Sequence, residues 1–218
     1  MKSGASSPAE LIRCIDHLVY AVPDLESGMR EIEELLGVRP APGGRHPNWG
    51  THNALLSLGP ATYLEIVAPD PDVPTPDRGR WLGVSDQQSA RLATWVMRSK
   101  SIKETVASAQ AAGVPLGAIE TGSRQTPDGT LLTWSLSDPY ALPYDGAVPF
   151  LIDWGDTPHP GNSAPLAGEL VALSIEHPEW EAVRIALASL DADIEVKEAE
   201  AFAMVARIKT SRGVKTLK

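Results

Sequence analysis

The sequence predicts an α+β fold in which repeated β-α-β-β-β modules form curved mixed β-sheets around a cleft, with the helices outside. Three observations carry this prediction. Short apolar runs of strand length alternate with amphipathic stretches of helical length. Glycines end the first two predicted helices at matching places, Gly37 and Gly113. The same order of elements begins three times, near residues 15, 90 and 169.

Composition limits the classes of partner and compartment. The chain has 218 residues, 43% of them hydrophobic, and a net charge of −9. It has no long basic stripe, so nucleic acid is not an expected partner. No apolar run approaches the roughly 18 residues of a membrane span. Residues 1–10 resemble a disordered leader rather than a signal peptide, and the single cysteine, Cys14, suits a reducing compartment. We therefore expect a soluble cytoplasmic protein.

The first module is predicted over residues 11–69. A strand around His17 leads to "PD", where Asp24 is a plausible N-cap for a helix over 24–36 with one apolar stripe. A short strand near 38–41 and a loop over 41–50 follow. The runs "THNALLSLG" and "ATYLEIVAP" then predict two strands joined by a Gly-Pro turn. The Pro- and Asp-rich residues 69–80 separate this module from the next.

Two further modules follow the same pattern. The second, over 90–155, has a predicted strand over 90–99, a helix over 101–113, and paired strands at 130–139 and 147–155. The third, over 166–218, is predicted as a partial β-α-β-β module. We expect two curved sheets, with the third module packed against one of them.

Two titratable residues stand inside apolar runs of the first module. His17 lies on its first strand and Glu65 on its last, and a buried carboxylate is costly unless charge or hydrogen bonds compensate it. Alignment on the capping glycines places Thr94 opposite His17, and either Ile152 or Asp153 opposite Glu65. A hydrogen-bonded core histidine is the alternative for His17 alone. The pair on corresponding strands favours a functional cleft.

Several short motifs resemble a known superfamily. "IDHLVYAVPDLE", "GTHNALLSLG", "YLEIVAP" and "PFLIDWGDTPHP" occur in the order found in the glyoxalase-like branch of the vicinal oxygen chelate superfamily. The resemblance covers most of residues 12–160. It implies paired modules around a cleft, in which His17 and Glu65 hold a divalent metal. Thr94 and Ile152 or Asp153 differ from the ligands that the superfamily usually has in its second module.

Imidazole and carboxylate donors suit Zn, Ni, Fe or Mn, and a metal-free cleft is the alternative. Glu65 is also the candidate catalytic base. The candidates for a further ligand or for substrate contacts are His52, Asn53, Asp153, Trp154 and His159.

The resemblance implies a metal-dependent lyase, isomerase or ring-opening dioxygenase that acts on a small oxygenated molecule. The alternative is a non-catalytic protein that binds a small molecule without metal, as resistance-type members of the superfamily do. A scaffold with neither activity is a third interpretation. A homodimer is compatible with each of these functions. Pairing of the modules within one chain or between two chains stays open at this point.

Overall fold

Two β-α-β-β-β modules form one eight-stranded mixed sheet, and the last fifty residues form a second, four-stranded sheet. The computed structural model describes residues 12–84, 89–125 and 131–218, so the predicted leader lies outside the described residues. The first module comprises β1 (Ile15–Ala21), α1 (Leu25–Leu36), β2 (Ala41–His46), β3 (Thr51–Ser57) and β4 (Tyr63–Pro69). The second comprises β5 (Arg91–Arg98), α2 (Ile102–Ala111), β6 (Ile119–Gln125), β7 (Leu131–Ser137) and β8 (Phe150–Asp153).

Helix α1 shows how the local sequence fixes these elements. The Asp24 side chain accepts a hydrogen bond from the backbone N–H of Ser27 at 2.9 Å and so caps the first turn. The helix buries Met29, Ile32 and Leu36 along one stripe. Gly37 ends it with a φ of 84°, a left-handed conformation that glycine adopts without a steric cost.

The strand order of the large sheet is β2-β3-β4-β1-β5-β8-β7-β6. In each module the first strand is parallel to the last, β1 to β4 and β5 to β8, whereas β1 and β5 are antiparallel. This β1–β5 pairing joins the modules within one chain. The α+β class with a curled mixed sheet and outer helices is confirmed, but the two expected sheets are one sheet because the edge of each module pairs with the other.

The third unit comprises β9 (Glu169–His177), α3 (Trp180–Ser189), β10 (Glu195–Glu198), β11 (Ala203–Thr210) and β12 (Gly213–Leu217). Its strand order is β10-β9-β11-β12, so its first strand is parallel to the strand that follows the helix and not to its last strand. Three strands follow its helix, as in the first two modules, but they pair in a different order. Backbone hydrogen bonds from Ala167 to Ser57 and from Leu170 to Leu58 attach it to the first module.

Apolar side chains cover both faces of the large sheet. On the helix side, one core continues from the first two modules into the third unit and includes Leu18, Trp95 and Leu173. On the opposite side, a smaller cluster rich in aromatic rings includes Val19, Trp81 and Phe150. This second cluster forms the walls of the cleft. Among the described residues, the three helices are too short to reach across a bilayer.

Candidate active site

A cavity of about 40 Å³ lies on the cleft side of the large sheet, where the two modules meet. Its polar lining includes His17, Asn53 and Glu65. Six aromatic residues provide most of the remaining wall: Trp49, Tyr63, Trp81, Trp134, Phe150 and Trp154. Since a water molecule needs about 10–15 Å³ of such volume, the cavity accommodates about three waters, and a larger ligand requires movement of the wall.

The segment between the modules, residues 70–84, closes one side of this cavity; we call it the strap. The Trp81 side chain is 2% exposed, and its indole N–H donates to the Pro139 carbonyl in the second module at 2.9 Å. Arg78 also reaches that module through an ion pair with Asp138 at 2.7 Å. The strap is therefore attached across the cleft.

The first-module end of the strap is fixed by an ion pair between the exposed Arg45 and the buried Asp70. Two nitrogens of Arg45 donate to the two carboxylate oxygens of Asp70, both at 2.6 Å. The Arg45 guanidinium lowers the pKa of Asp70 to about 2. This bidentate contact fixes the point where β4 ends and the strap begins.

His17 presents one ring nitrogen to the cavity and the other to a carboxylate. Nδ1 lies 2.8 Å from Asp16 Oδ1, and Nε2 lies 3.5 Å from Glu65 Oε2. The ring stacks on Tyr63 with a centroid separation of 4.4 Å and an interplanar angle of 17°. Both flanking carboxylates accept hydrogen bonds, and Asp16 is the nearer of the two, so we assign the proton of neutral His17 to Nδ1. Nε2 is then left with a lone pair toward Glu65.

Glu65 is held by the side-chain amide of Asn53 and faces the imidazole of His17. The Asn53 side-chain N–H donates to Glu65 Oε1 at 2.6 Å. Asn53 is itself oriented, because its side-chain oxygen accepts from the backbone N–H of Gly44 at 2.8 Å. Glu65 Oε2 is the carboxylate oxygen that faces His17. The buried carboxylate thus has one oxygen tied to the protein and one directed at the site.

Asp16 lies behind His17 and is completely buried. In the pairing of β1 with β5, the register shifts between Ile15 and His17, which is typical of a β-bulge. Ile15 and Leu18 both face the helix-side core although a regular strand would place residues three apart on opposite faces. The bulge lets the side chains of Asp16 and His17 meet.

Four side chains surround the Asp16 carboxylate. Oδ1 is near His17 Nδ1 and accepts from the Trp154 indole N–H at 3.2 Å, and Oδ2 lies 3.3 Å from both Arg98 Nη2 and His159 Nε2. Burial raises the pKa of Asp16, but hydrogen bonds from His159 and His17 more than offset it, so its pKa lies below the usual range.

The structure brings some of the sequence-based candidates together and separates others. His17, Asn53, Glu65 and Trp154 line the cavity. His159 lies one layer behind it, with its ring 5.3 Å from that of Tyr63.

The two other candidates lie elsewhere. Adjacent side chains of a strand point to opposite faces, so His52 points away from the cavity that Asn53 lines. His52 borders a separate groove beside α1, and burial lowers the pKa of its imidazole. Asp153 accepts from the backbone N–H of Gly155 at 2.9 Å and borders another groove, whereas Ile152 lines the cavity. Of the two residues considered opposite Glu65, the one in the cavity is therefore the apolar one. The Thr94 hydroxyl donates to the Gly146 carbonyl at 3.0 Å.

Sequence reasoning missed Asp16, Tyr63, Trp81 and Phe150. The string "IDH" contained the signal for Asp16, but strand alternation places neighbouring side chains on opposite faces, and the bulge cannot be read from the apolar pattern. Trp81 follows the Pro- and Asp-rich break, which predicts a surface loop. Its return to the cleft depends on contacts with the distant Pro139 carbonyl.

The family model described as glyoxalase-like domain matches residues 15–190 of the chain. The chain belongs to the glyoxalase-like domain family. This confirms the resemblance to the vicinal oxygen chelate superfamily. No curated protein matches the chain. Among solved structures, a hypothetical protein from Staphylococcus aureus is 12% identical, with a TM-score of 0.61 over 94% of this chain and 98% of that one. Methylmalonyl-CoA epimerase from Mycobacterium tuberculosis is 16% identical, with a TM-score of 0.44 over 66% of this chain and 90% of that one.

The donors of this glyoxalase-like domain fit a cation that has few protein ligands. Two ligands at about 2.1 Å from a tetrahedral ion lie about 3.4 Å apart, which is close to the observed separation of His17 Nε2 and Glu65 Oε2. That separation is 3.5 Å. No cluster of three or more His, Cys, Asp or Glu side chains is arranged around a common point within residues 12–84, 89–125 and 131–218. Water or substrate oxygens would have to complete the coordination.

Proposed function

We propose that this glyoxalase-like domain is a metal-dependent lyase or isomerase that acts on a small molecule with adjacent oxygen atoms. The observation that carries the proposal is the convergence of His17 Nε2 and Glu65 Oε2 at 3.5 Å on one buried cavity. His17 and Glu65 would hold the ion. The remaining coordination positions would be available to water and to the substrate.

Charge in the buried region supports a cation at this place. Asp16 and Glu65 are both buried carboxylates, and Arg98 is the guanidinium beside Asp16. With the His17 proton on Nδ1, the hydrogen-bond donor to Glu65 is the neutral amide of Asn53, and His17 Nε2 presents a lone pair to the carboxylate. A buried carboxylate with neutral neighbours is costly, and a divalent cation at the open side of Glu65 would compensate it.

The second-layer contact of His17 also supports the proposal. Histidines that bind metal usually donate their other ring N–H to a carboxylate or carbonyl, which fixes the ring and raises the basicity of the ligating nitrogen. Asp16 occupies that position at 2.8 Å from Nδ1. The imidazole is further held by stacking on Tyr63.

The residues of the chain have distinct roles in this proposal. A bound divalent ion supplies a Lewis acid that polarises a carbonyl. Glu65 would serve as the base only while its Oε2 is not bound to the ion, with His17 and substrate oxygens holding the ion, and Asn53 keeps the other carboxylate oxygen in place. Trp81 and Phe150 exclude bulk water from the cavity. A ring-opening dioxygenase is less well supported, because its facial triad needs two histidines and one carboxylate.

Zn²⁺ titration of the purified, metal-stripped protein tests the metal site. We expect one ion per chain in the wild type, and a loss of affinity of at least about tenfold in both His17→Ala and Glu65→Gln. His52→Ala is the matched control, because His52 borders another groove, and it should bind like the wild type. Equal affinity in wild type, His17→Ala and Glu65→Gln would contradict the proposed site.

Solvent isotope exchange tests the proton transfer without knowledge of the substrate. A panel of small α-hydroxy and α-keto carbonyl compounds is incubated with the metal-loaded protein in D₂O and followed by proton NMR. We expect deuterium to enter next to the carbonyl of at least one compound, and Glu65→Gln to abolish this exchange. Exchange that persists in Glu65→Gln would exclude Glu65 as the base.

Binding without catalysis is the second candidate, and the aromatic lining of the cavity favours it. Six rings around a small polar floor suit capture of a flat apolar molecule. In that case a planar aromatic compound should quench tryptophan fluorescence in the metal-stripped protein. It should do so equally in Glu65→Gln, and no isotope exchange should occur.

We also propose three features of organisation that the family match does not address. The module boundaries are residues 11–69, 90–155 and 166–218, the compartment is the cytoplasm, and the oligomer to be tested first is a homodimer. The backbone hydrogen bonds from Ala167 to Ser57 and from Leu170 to Leu58 support packing of the third unit on the first module, so we expect that a 1–160 fragment will not fold fully. Full folding of that fragment, measured by circular dichroism, would make the third unit dispensable.

A further inference from the structure

We propose that Asp16 is a positioning residue that sets the proton position on His17 and aligns one wall of the cavity. The inference deepens the proposed function, and the metal-affinity part of its test rests on that function. Asp16 lies in a β-bulge and does not line the cavity. Its carboxylate nevertheless contacts both the floor, through His17, and the wall, through Trp154.

The contacts of Asp16 determine which nitrogen of each neighbouring histidine carries the proton. His17 Nδ1 faces Asp16 Oδ1 at 2.8 Å, a shorter contact than the 3.5 Å between Nε2 and Glu65 Oε2, so we assign the proton to Nδ1 and Nε2 is left as the acceptor in the cavity. His159 has the opposite arrangement. Its Nδ1 accepts from the backbone N–H of Gly161 at 3.2 Å, so Nε2 carries the proton and faces Asp16 Oδ2. One carboxylate therefore selects Nδ1–H in His17 and accommodates Nε2–H in His159.

The Asp16 carboxylate also joins parts of the chain that are distant in sequence. Arg98, on β5, lies 3.3 Å from Oδ2 and donates to the backbone carbonyl of Arg13 at 2.9 Å. Trp154 follows β8 and donates to Oδ1, and its ring lies 5.3 Å from that of Trp134 on the cavity wall. Without the carboxylate, the Trp154 indole N–H and the His17 Nδ1–H would lose a common acceptor. His17 and Trp154 would then no longer be held by the same carboxylate.

Histidine-selective ¹H–¹⁵N NMR of the metal-stripped protein tests the inference directly. In the wild type we expect His17 to carry its proton on Nδ1, and His159 and His177 to carry theirs on Nε2. His177 is the internal control, because its Nδ1 accepts from the backbone N–H of Glu179 at 2.9 Å and it lies outside the cluster. An Nε2–H form of His17 in the wild type would overturn the inference without any variant.

Asp16→Leu removes both acceptor oxygens and fills nearly the same space. We expect His17 to lose its preference for Nδ1–H, His177 to keep its signals, and Zn²⁺ affinity to fall about 10–100-fold. Asp156→Leu is the matched control, since Asp156 is exposed on the turn after β8. It should leave both the tautomer and the affinity unchanged.

The two measurements separate failure of this inference from failure of the proposed function. If the wild type binds no Zn²⁺ but His17 is Nδ1–H and loses this form in Asp16→Leu, the positioning role stands and the metal site fails. If Asp16→Leu keeps the wild-type tautomer and affinity, the positioning role fails. If Asp16→Leu does not fold, the tautomer of the wild-type protein decides.

Discussion

Replacement of Trp81 by alanine tests whether the strap is an integral part of the cleft. The Trp81 ring packs against Trp49 at 5.7 Å and Phe150 at 5.8 Å between centroids, and its N–H donates to Pro139. Loss of a buried Trp side chain costs about 3–5 kcal/mol, and a buried carbonyl left without its donor costs about 1–3 kcal/mol. We expect Trp81→Ala to lower the free energy of unfolding by at least about 3 kcal/mol, measured by urea denaturation.

The same variant enlarges the cavity by an indole side chain, which is larger than benzene. An apolar cavity of about 150 Å³ binds benzene, whereas the wild-type cavity is too small for it. That cavity is about 40 Å³. We therefore expect benzene to stabilise Trp81→Ala more than the wild type, because the wild-type cavity admits a ring only when its wall moves. Trp81→Phe keeps most of the packing but loses the indole N–H that donates to Pro139, so it should lose about 1–3 kcal/mol. A loss below about 1 kcal/mol in Trp81→Ala would refute the packing of the strap in the cleft.

Two further predictions concern residues outside the polar floor of the cavity. Asp70→Asn should lower the free energy of unfolding at pH 7 by about 1–3 kcal/mol, because Arg45 loses its bidentate charged contact and keeps only the ion pair with Asp72. The pKa of Asp70 in the folded chain is about 2. The pKa of an aspartate in the unfolded chain is about 3.9. The stability that ionised Asp70 contributes is therefore complete above about pH 5 and disappears as the pH falls toward 2. A stability difference between wild type and variant that is independent of pH would contradict this prediction. Gly122→Ala places a methyl group against the Trp134 indole. We therefore expect urea denaturation to show about 1–3 kcal/mol of destabilisation, and we expect the tryptophan emission to change. Unchanged emission would show that Trp134 lies elsewhere.

Much of the fold could be predicted because its signals are local. The N-cap at Asp24, the glycine at the end of α1 and the apolar stripe between them are fixed by neighbours in sequence. The order of strands in the third unit could not be predicted in this way. Whether β9 pairs with β10 or with the last strand depends on tertiary contacts, and both topologies have similar apolar patterns.

The residues of the candidate site also differ in whether the local sequence reveals them. His17 and Glu65 were recognisable because a titratable side chain in an apolar strand is unusual. His52 and Asn53 are neighbours in sequence, and only the sheet register decides which of them faces the cavity. Asp16 was hidden because a β-bulge reverses the face that alternation assigns to it.

A double-mutant cycle in Zn²⁺ affinity tests most directly whether His17 and Glu65 bind one ion. If the two side chains share an ion, the second substitution acts on a site that has already lost its chelate. His17→Ala combined with Glu65→Gln should then bind Zn²⁺ little more weakly than the weaker single variant. If the fold-losses of the two single variants multiply in the double variant, the residues act independently and the shared site is wrong.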